Sequence, residues 1–153
     1  LAVSLLELNN FSSKDFAKYH PGGALGKKLY LRVRDLLGVH EKPQVSPDTP
    51  IKDVIIEISK KRLGTAAVVQ KNAVVGIITD GDLRRMLQDN NDIGSLTAKD
   101  IMSNAPKTIR PDAMAAQAFE LMESNNITQL LVEEDNKYLG VVHLHDLLKE
   151  GIF

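Results

Sequence analysis

Two short segments of the chain carry side chains that can bind an anion. The candidate residues are Thr79, Asp82, Arg84 and Arg85 in the first segment, and His143, His145 and Asp146 in the second. Neighbouring guanidinium groups can clamp a phosphate or a carboxylate through paired hydrogen bonds. An imidazole can donate to the same groups and can change its charge near neutral pH. The two segments therefore predict a binding site for an anionic small molecule.

Each of these side chains also has an ordinary structural role open to it. Asp82 is placed to cap the helix that follows it, and Arg84 is equally well explained as part of a solvated helix face. Either histidine can be half-buried with a backbone partner. His143 and His145 face the same side of a strand and can be read as a metal pair, but Asp146 is the single further ligand nearby in sequence. We therefore assign no metal and no required cofactor.

The two segments belong to an internal repeat with an offset of 64 residues. The stretch GIITDGDL at 76–83 aligns with GVVHLHDL at 140–147, and residues 47–85 follow the same register without a gap. The register also places Pro47 on Pro111 and Leu63 on Ile127. Just upstream, residues 34–37 pair with residues 99–102 at an offset of 65. Shared positions of Pro, Gly, Asp and apolar residues predict two copies of one structural unit.

Each repeat predicts the element order β-α-β-β-α. Apolar residues at helical spacing mark residues 51–61 and 114–124, and β-rich runs mark residues 66–70, 74–79, 129–133 and 138–143. Short extended pieces are expected around Val45 and residues 108–109, with hairpin turns at residues 71–72 and 135–136. Asp48 with Thr49, and Asp112, are expected to cap the first helices, and Gly64 to end the earlier one. The sequence therefore predicts a mixed α/β (α+β) fold, in which the two repeats pack as a pseudo-twofold pair.

Composition excludes several classes of function. The net charge of −1 provides no field that would attract nucleic acid or an anionic membrane, and no apolar run approaches the roughly 20 residues of a membrane span. The absence of cysteine excludes disulfides and thiolate chemistry and fits a cytoplasmic location. Because the chain does not begin with Met, we expect a fragment in which residues 1–30 end an upstream domain, residues 31–90 form the first repeat and residues 96–153 the second.

The repeat that ends in GIITDGDLRR resembles the CBS domain, which occurs in tandem pairs, over about residues 33–150. The resemblance implies a nucleotide in a cleft between the repeats, with Asp82 accepting both ribose hydroxyls and Thr79 facing a phosphate. It extends the candidate set to four residues at strand starts, where ordinary strand-edge roles are equally open: Thr65, Lys107, Thr108 and Thr128. Because His143 stands where the first repeat has Thr79, we expect one composite site for one ligand.

The segments DFA at 15–17 and HPGGALGKKL at 20–29 look like the end of the sugar-isomerase (SIS) domain of arabinose 5-phosphate isomerases, in which a CBS pair follows. That family interconverts ribulose 5-phosphate and arabinose 5-phosphate for synthesis of 3-deoxy-D-manno-octulosonate (Kdo), a sugar of lipopolysaccharide or capsule. By resemblance His20 maps on the isomerase active site. Because the reaction needs a base, an acid and a bound phosphate together, we expect the parent protein to be the enzyme and this chain alone to be inactive.

The resemblance leaves three hypotheses for function. Feedback logic favours the activated pathway product, the cytidine monophosphate conjugate of Kdo (CMP-Kdo), because it carries phosphate, ribose and carboxylate. Many CBS pairs resemble adenosine-nucleotide sensors, so AMP or ATP is the alternative ligand. The third hypothesis is a purely structural module. CBS pairs generally form homodimers through their helices, and the full-length parent is expected to be a tetramer.

Overall fold

The computed structural model describes Asp15, Lys18 and residues 22–89 and 92–153. Two short helices come first, α1 (Ala24–Tyr30) and α2 (Val33–Leu36). The first repeat continues with β1 (Gln44–Val45), α3 (Ile51–Lys61), β2 (Thr65–Gln70), β3 (Ala73–Thr79) and α4 (Asp80–Asp89). A 3₁₀ turn (Ile93–Ser95) and α5 (Ala98–Ile101) lead into β4 (Thr108–Ile109), α6 (Ala115–Asn125), β5 (Gln129–Glu134), β6 (Lys137–His143) and α7 (Leu144–Lys149). The predicted order β-α-β-β-α is present in both repeats.

Each repeat contains a three-stranded sheet, and equivalent residues of the two repeats are paired in the two sheets. β1 and β4 pair in parallel with β2 and β5, which pair antiparallel with β3 and β6. Both antiparallel ladders have a bulge at the same repeat position, after Val68 and after Val132. The hairpin turns at residues 71–72 and 135–136 have positive φ at both central residues, as expected for two-residue hairpins. The structure thus confirms the mixed α and β fold class with two equivalent repeats.

The predicted caps of the first helix in each repeat are wrong. α3 begins after a proline and α6 after a methionine, and neither of these residues accepts a capping bond through its side chain. Asp48 and Asp112 form ion pairs with basic side chains instead, and Thr49 bonds to a neighbouring serine. α3 ends at Lys61, and the left-handed residue that caps its C-terminus is Arg62 (φ 59°) and not Gly64. The pattern located the helices, but the polar side chains at their ends found other partners.

The short helix that precedes each sheet packs on the other repeat. Val33 and Leu36 of α2 lie in the core that α6, β5 and β6 form. Ala98 of α5 lies in the core that α3, β2 and β3 form. Backbone bonds fix both crossings, since Val33 N donates to Ala113 O and Ala98 N donates to Thr49 O, each at 2.9 Å. These two short helices, α2 and α5, which we call the lead-in helices, are therefore exchanged between the repeats.

A third apolar cluster joins the two repeats directly. Its buried members are Leu63, Ala67, Leu131, Tyr138 and Val141. The Tyr138 hydroxyl donates to Pro43 O (3.0 Å), and Tyr138 N donates to Asn72 O (2.8 Å). The repeats thus share a core, as expected for small sheets that can bury their faces only against each other. None of the described helices is long and apolar enough to cross a bilayer.

Candidate functional site

The first signature lines a cleft that we call the Asp82 cleft. It has a volume of about 200 Å³ and is lined by Ile77, Thr79, Asp82, Arg85, Ser103, Lys107, Ile127 and Gln129. Thr79 ends β3 and Asp82 lies in the first turn of α4, so the strand-to-helix junction presents both side chains. Ile127 and Gln129 come from the second repeat. The cleft therefore needs both repeats to be complete.

The Asp82 carboxylate is 6% exposed, and both of its oxygens accept hydrogen bonds. Oδ2 accepts from the backbone N–H (2.7 Å) and the hydroxyl (2.8 Å) of Thr79, so the capping role is present. Oδ1 accepts from Arg85 (2.5 Å) and from the Ser103 hydroxyl (3.2 Å). Because the Arg85 side chain is 65% exposed, its guanidinium can leave Oδ1 without uncovering apolar surface. Oδ1 is thus the oxygen that can exchange its partner for a ligand hydroxyl.

The second signature lines a separate cleft, which we call the Asp146 cleft. It has a volume of about 140 Å³ and is lined by His40, Arg62, Leu63, His143, His145, Asp146 and Lys149. Under the repeat register His143 corresponds to Thr79, and Lys149 corresponds to Arg85. Arg62, just after α3, comes from the first repeat. The two signatures therefore line two clefts, each completed by the other repeat, where one composite site was expected.

Histidines surround the buried carboxylate of Asp146. His40 Nε2 contacts both oxygens at 3.0 Å, and Oδ2 also accepts from His143 N (3.3 Å). His143 Nδ1 accepts from His145 N (3.0 Å), which assigns the proton of the neutral ring to Nε2. Burial lowers the pKa of His143 below its usual value. The charge of Asp146 acts to raise this pKa, whereas His145 and His40 act to lower it further. The His143 ring is therefore favoured as a neutral donor.

Of His143 and His145, which the sequence also allows as a metal pair, the first ends β6 and the second lies in the first turn of α7. In the part of the chain that the structure describes, no three or more His, Asp or Glu residues are grouped so as to hold a metal ion. The His143 and His145 rings meet edge to face with centroids 5.8 Å apart. Since His143 Nδ1 already accepts a backbone N–H, that nitrogen is not open to a cation.

Four of the residues singled out from sequence lie outside the linings of both clefts: Thr65, Arg84, Thr108 and Thr128. Thr65 is fully buried, and its hydroxyl donates to Ile78 O (3.1 Å). Arg84 is exposed on α4, where it belongs to the solvated face that the alternative reading describes. His20 lies outside the described residues.

Sequence reasoning missed several residues of the two clefts. The register could have found Lys149, because it stands 64 residues after Arg85. The register does not identify Arg62, because its equivalent in the second repeat, Asn126, does not line the Asp82 cleft. His40 and Ser103 lie in the connections after α2 and α5, where the repeat offset changes from 65 to 64, and no spacing locates them. They reach the clefts because the lead-in helices are exchanged.

Comparison with curated proteins finds relatives among sugar isomerases. The chain is 43% identical to the arabinose 5-phosphate isomerase KdsD of Yersinia pestis and 40% identical to that of Escherichia coli (strain K12), over 99% of the chain and 47% of each relative. An uncharacterized protein of Helicobacter pylori (strain J99) is 43% identical over the same shares. The chain thus spans about half the length of these relatives.

Comparison with solved structures finds the same fold. The crystal structure of the CBS domain NE2398 superposes with a TM-score of 0.72 at 22% identity, covering 80% of this chain and 98% of that one. The CBS domain protein PAE2072 from Pyrobaculum aerophilum, complexed with AMP, superposes with a TM-score of 0.68 at 26% identity, covering 76% and 90%. The sequence model of the CBS domain matches residues 33–89 and 98–152. The chain therefore belongs to the CBS domain family, as a tandem pair homologous to part of the arabinose 5-phosphate isomerases.

Proposed function

We propose that this chain is the regulatory CBS pair of a D-arabinose 5-phosphate isomerase and binds a nucleotide or nucleotide-sugar, with CMP-Kdo as the ligand, in the Asp82 cleft. The observation that carries the proposal is the Asp82 carboxylate, fixed by Thr79 and lying in one cleft with Arg85 and Lys107. An acceptor for ribose hydroxyls beside donors for a phosphate is what a nucleotide requires. The 40–43% identity to KdsD isomerases supports the isomerase as the regulated enzyme.

Each part of such a ligand has a counterpart in the cleft. Asp82 Oδ1 accepts the ribose hydroxyls once Arg85 turns to the phosphate. Arg85 and Lys107 together balance the phosphate and the sugar-acid carboxylate of CMP-Kdo. Ile77 and Ile127 offer apolar surface from the two repeats to the base. Gln129 donates through Nε2 to Leu63 O (3.0 Å), which leaves its amide oxygen as the acceptor for an amino group on the base.

An adenosine nucleotide is the second candidate ligand, because PAE2072, at 26% identity, is complexed with AMP. Adenine and cytosine both carry an exocyclic amino group, so Gln129 does not separate them. Titration calorimetry of this chain with CMP-Kdo and with AMP in the same buffer decides between the two. Tighter binding of CMP-Kdo supports feedback by the pathway product, whereas tighter binding of AMP contradicts it and leaves the Asp82 cleft as an adenosine site.

The substitution Asp82→Asn is expected to weaken binding of the preferred ligand at least about tenfold. An amide retains one acceptor oxygen and loses the negative charge that strengthens hydrogen bonds from ribose hydroxyls. Calorimetric titration of the variant measures the dissociation constant directly. Because Asp82 also closes the first turn of α4, the melting temperature of the variant without ligand is measured first.

Two arginine variants sharpen this test. Arg85→Gln is expected to weaken binding, since Arg85 lines the Asp82 cleft. Arg84→Gln makes the same charge change one residue away, on a side chain outside both clefts, and is expected to leave the dissociation constant unchanged. Unaltered affinity in a folded Asp82→Asn protein would contradict the assignment of the ligand to this cleft.

A structural role in dimerisation is the third candidate. Exposed apolar side chains on three helices favour it: Ile56 on α3, Leu87 on α4 and Leu148 on α7. A thermal-shift panel of nucleotides and nucleotide-sugars separates this role from ligand sensing. A ligand that binds the folded state alone must raise the melting temperature by mass action. No shift with any member of the panel would favour the structural role.

A further inference from the structure

The short strand at the outer edge of each sheet directs backbone groups away from the sheet. β1 and β4 pair with β2 and β5 in the same register, with Gln44 opposite Ala67 and Thr108 opposite Leu131. Ala67 N donates to Pro43 O, so the next residue, Gln44, directs its own N–H and C=O away from β2. Thr108 holds the equivalent position in β4. Each sheet therefore has one outer residue whose backbone groups can bond outside the sheet.

In the first repeat, side chains of the same repeat close this edge. Glu57 Oε1, from α3, accepts from Gln44 N (3.2 Å). Beside the strand, the hydroxyl of Thr49 accepts from Ser46 N (3.0 Å) and bonds to the Ser46 hydroxyl (2.9 Å). An added strand would have to displace the Glu57 carboxylate, so the edge of β1 is protected against pairing.

The second repeat has apolar residues at the positions that close the first edge. Under the 64-residue register Leu121 stands in place of Glu57. Ala113 stands in place of Thr49. Neither side chain can supply the acceptor that closes the edge of β1. A groove of about 520 Å³, which we call the α6 groove, lies here between β4 and α6, and its lining is Thr108, Ile109, Arg110, Asp112, Ala113, Gln117 and Leu121.

A second groove, which we call the hairpin groove, meets β4 on the side of the β5–β6 hairpin and is acidic. It has a volume of about 290 Å³, and residues 108–110 and 133–136 line it. Arg110 pairs with Glu134 (3.6 Å), whereas within the described part of the chain neither Glu133 nor Asp135 forms an ion pair. The equivalent residues of the first repeat, 69–71, are Val, Gln and Lys. Of the two edges, the open one is thus also the acidic one.

We propose that the edge of β4 binds an extended segment of a partner protein as an added strand, and that this segment alternates basic and apolar side chains. Thr108 supplies one backbone donor and one backbone acceptor to the added strand. Successive side chains of a strand point to opposite faces, so apolar side chains enter the α6 groove beside Leu121 while basic ones reach the hairpin groove. The two grooves share no lining residue with the Asp82 cleft, so this surface goes beyond nucleotide binding and does not depend on it.

A short acetylated and amidated peptide of alternating lysine and valine is the probe, and amide chemical shifts of the chain are followed by NMR during its titration. We expect saturable shifts at residues 108–110 and 133–136, and none at residues 44–46 of the closed edge. A peptide of alternating glutamate and valine, and the lysine–valine peptide with alternate backbone nitrogens methylated, are each expected to bind at least about tenfold more weakly. Absence of saturable shifts at residues 108–110, or equal affinity for all three peptides, overturns the proposal.

The first repeat supplies the substitution that tests the open edge. Leu121→Glu copies Glu57 into the second repeat and is expected to weaken binding of the lysine–valine peptide at least about tenfold, because the new carboxylate can accept from Thr108 N. The added negative charge would instead tighten a purely electrostatic association, so tighter binding contradicts the proposal. Ser124→Glu adds the same charge on an exposed side chain of α6 outside both grooves and is expected to leave the affinity unchanged.

A second variant keeps the test independent of core packing. Leu121 packs partly against the core of the second repeat, so the melting temperature of the Leu121→Glu protein is measured first. Glu134→Gln changes a partly exposed side chain of the hairpin groove and is expected to weaken binding of the lysine–valine peptide about threefold. Glu120→Gln makes the same change on α6 outside both grooves and is the matched control. A Glu134→Gln protein that binds the peptide as the parent does would show that the acidic groove takes no part.

A dilution series without peptide tests whether a second copy of the chain occupies the edge instead. We expect the amide shifts of residues 108–110 to be independent of protein concentration. Shifts at these residues that change on dilution would identify a second copy as the occupant and contradict the assignment to a partner protein.

Discussion

Replacing Gly76 with valine is expected to lower the free energy of unfolding by about 3 kcal/mol. A Cβ on Gly76 would lie 2.5 Å from Met102 Sδ and 3.1 Å from Ser103 O, distances shorter than van der Waals contact. The Ser103 backbone cannot retreat easily, because Ser103 N donates to Ile77 O (2.9 Å) and Ile77 N donates to Ser103 O (3.1 Å). The larger side chain therefore separates the connection after α5 from β3.

Chemical denaturation followed by circular dichroism measures this loss. Gly22→Ala is the control, because no heavy atom of the residues that the structure describes lies within 4 Å of a Cβ placed there, and it is expected to change stability by less than about 0.5 kcal/mol. The Gly76→Val protein is also expected to lose affinity for ligands of the Asp82 cleft, since Ser103 bonds to Asp82. A denaturation midpoint equal to that of the parent would show that the connection after α5 is free to shift.

The elements of the repeat could be predicted closely because their signals are local. Helical spacing of apolar residues predicted residues 51–61, and α3 spans Ile51–Lys61. Strands differ from the predicted bounds by one residue at most, since β-branched runs and two-residue turns define their ends. The fold explains the paired glycines at 76 and 140. A Cβ on Gly76 would approach Met102, just after α5, and a Cβ on Gly140 would approach Leu37, just after α2.

The exchange of the lead-in helices could not be predicted in the same way. A four-residue helix such as α2 has no periodicity that shows which sheet it covers. Its partner is determined by backbone bonds to residues about 80 positions later, as between Val33 N and Ala113 O. His40 and Ser103 follow the exchanged helices, so their positions in the clefts could be predicted only if the packing of those helices were known. Two clefts instead of one result from this geometry, since each lead-in segment completes the cleft of the repeat on which it packs.

The substitution Val33→Asp is expected to lower the free energy of unfolding by at least about 3 kcal/mol. Val33 is 0% exposed and lies among apolar side chains of the second repeat, where no polar group in the cluster can solvate a carboxylate. Val39→Asp introduces the same side chain six residues later at a position 63% exposed, and is expected to have little effect. Hydrogen exchange measured by mass spectrometry locates the loss of protection in each protein.

The loss is expected in both repeats, although Val33 precedes the first repeat in sequence and packs on the second. Ala98, in α5, is likewise 0% exposed in the core of the first repeat, and the cluster around Leu131 and Tyr138 joins the two sheets. Each repeat thus keeps part of its core in the other, and neither can unfold without uncovering apolar surface in its partner. We therefore expect one cooperative transition, with peptides from β2 and from β5 losing protection together in the Val33→Asp protein. Protection that persists in β2 while β5 exchanges would show that the repeats are independent, and ligand binding in one cleft would then leave the stability of the other repeat unchanged.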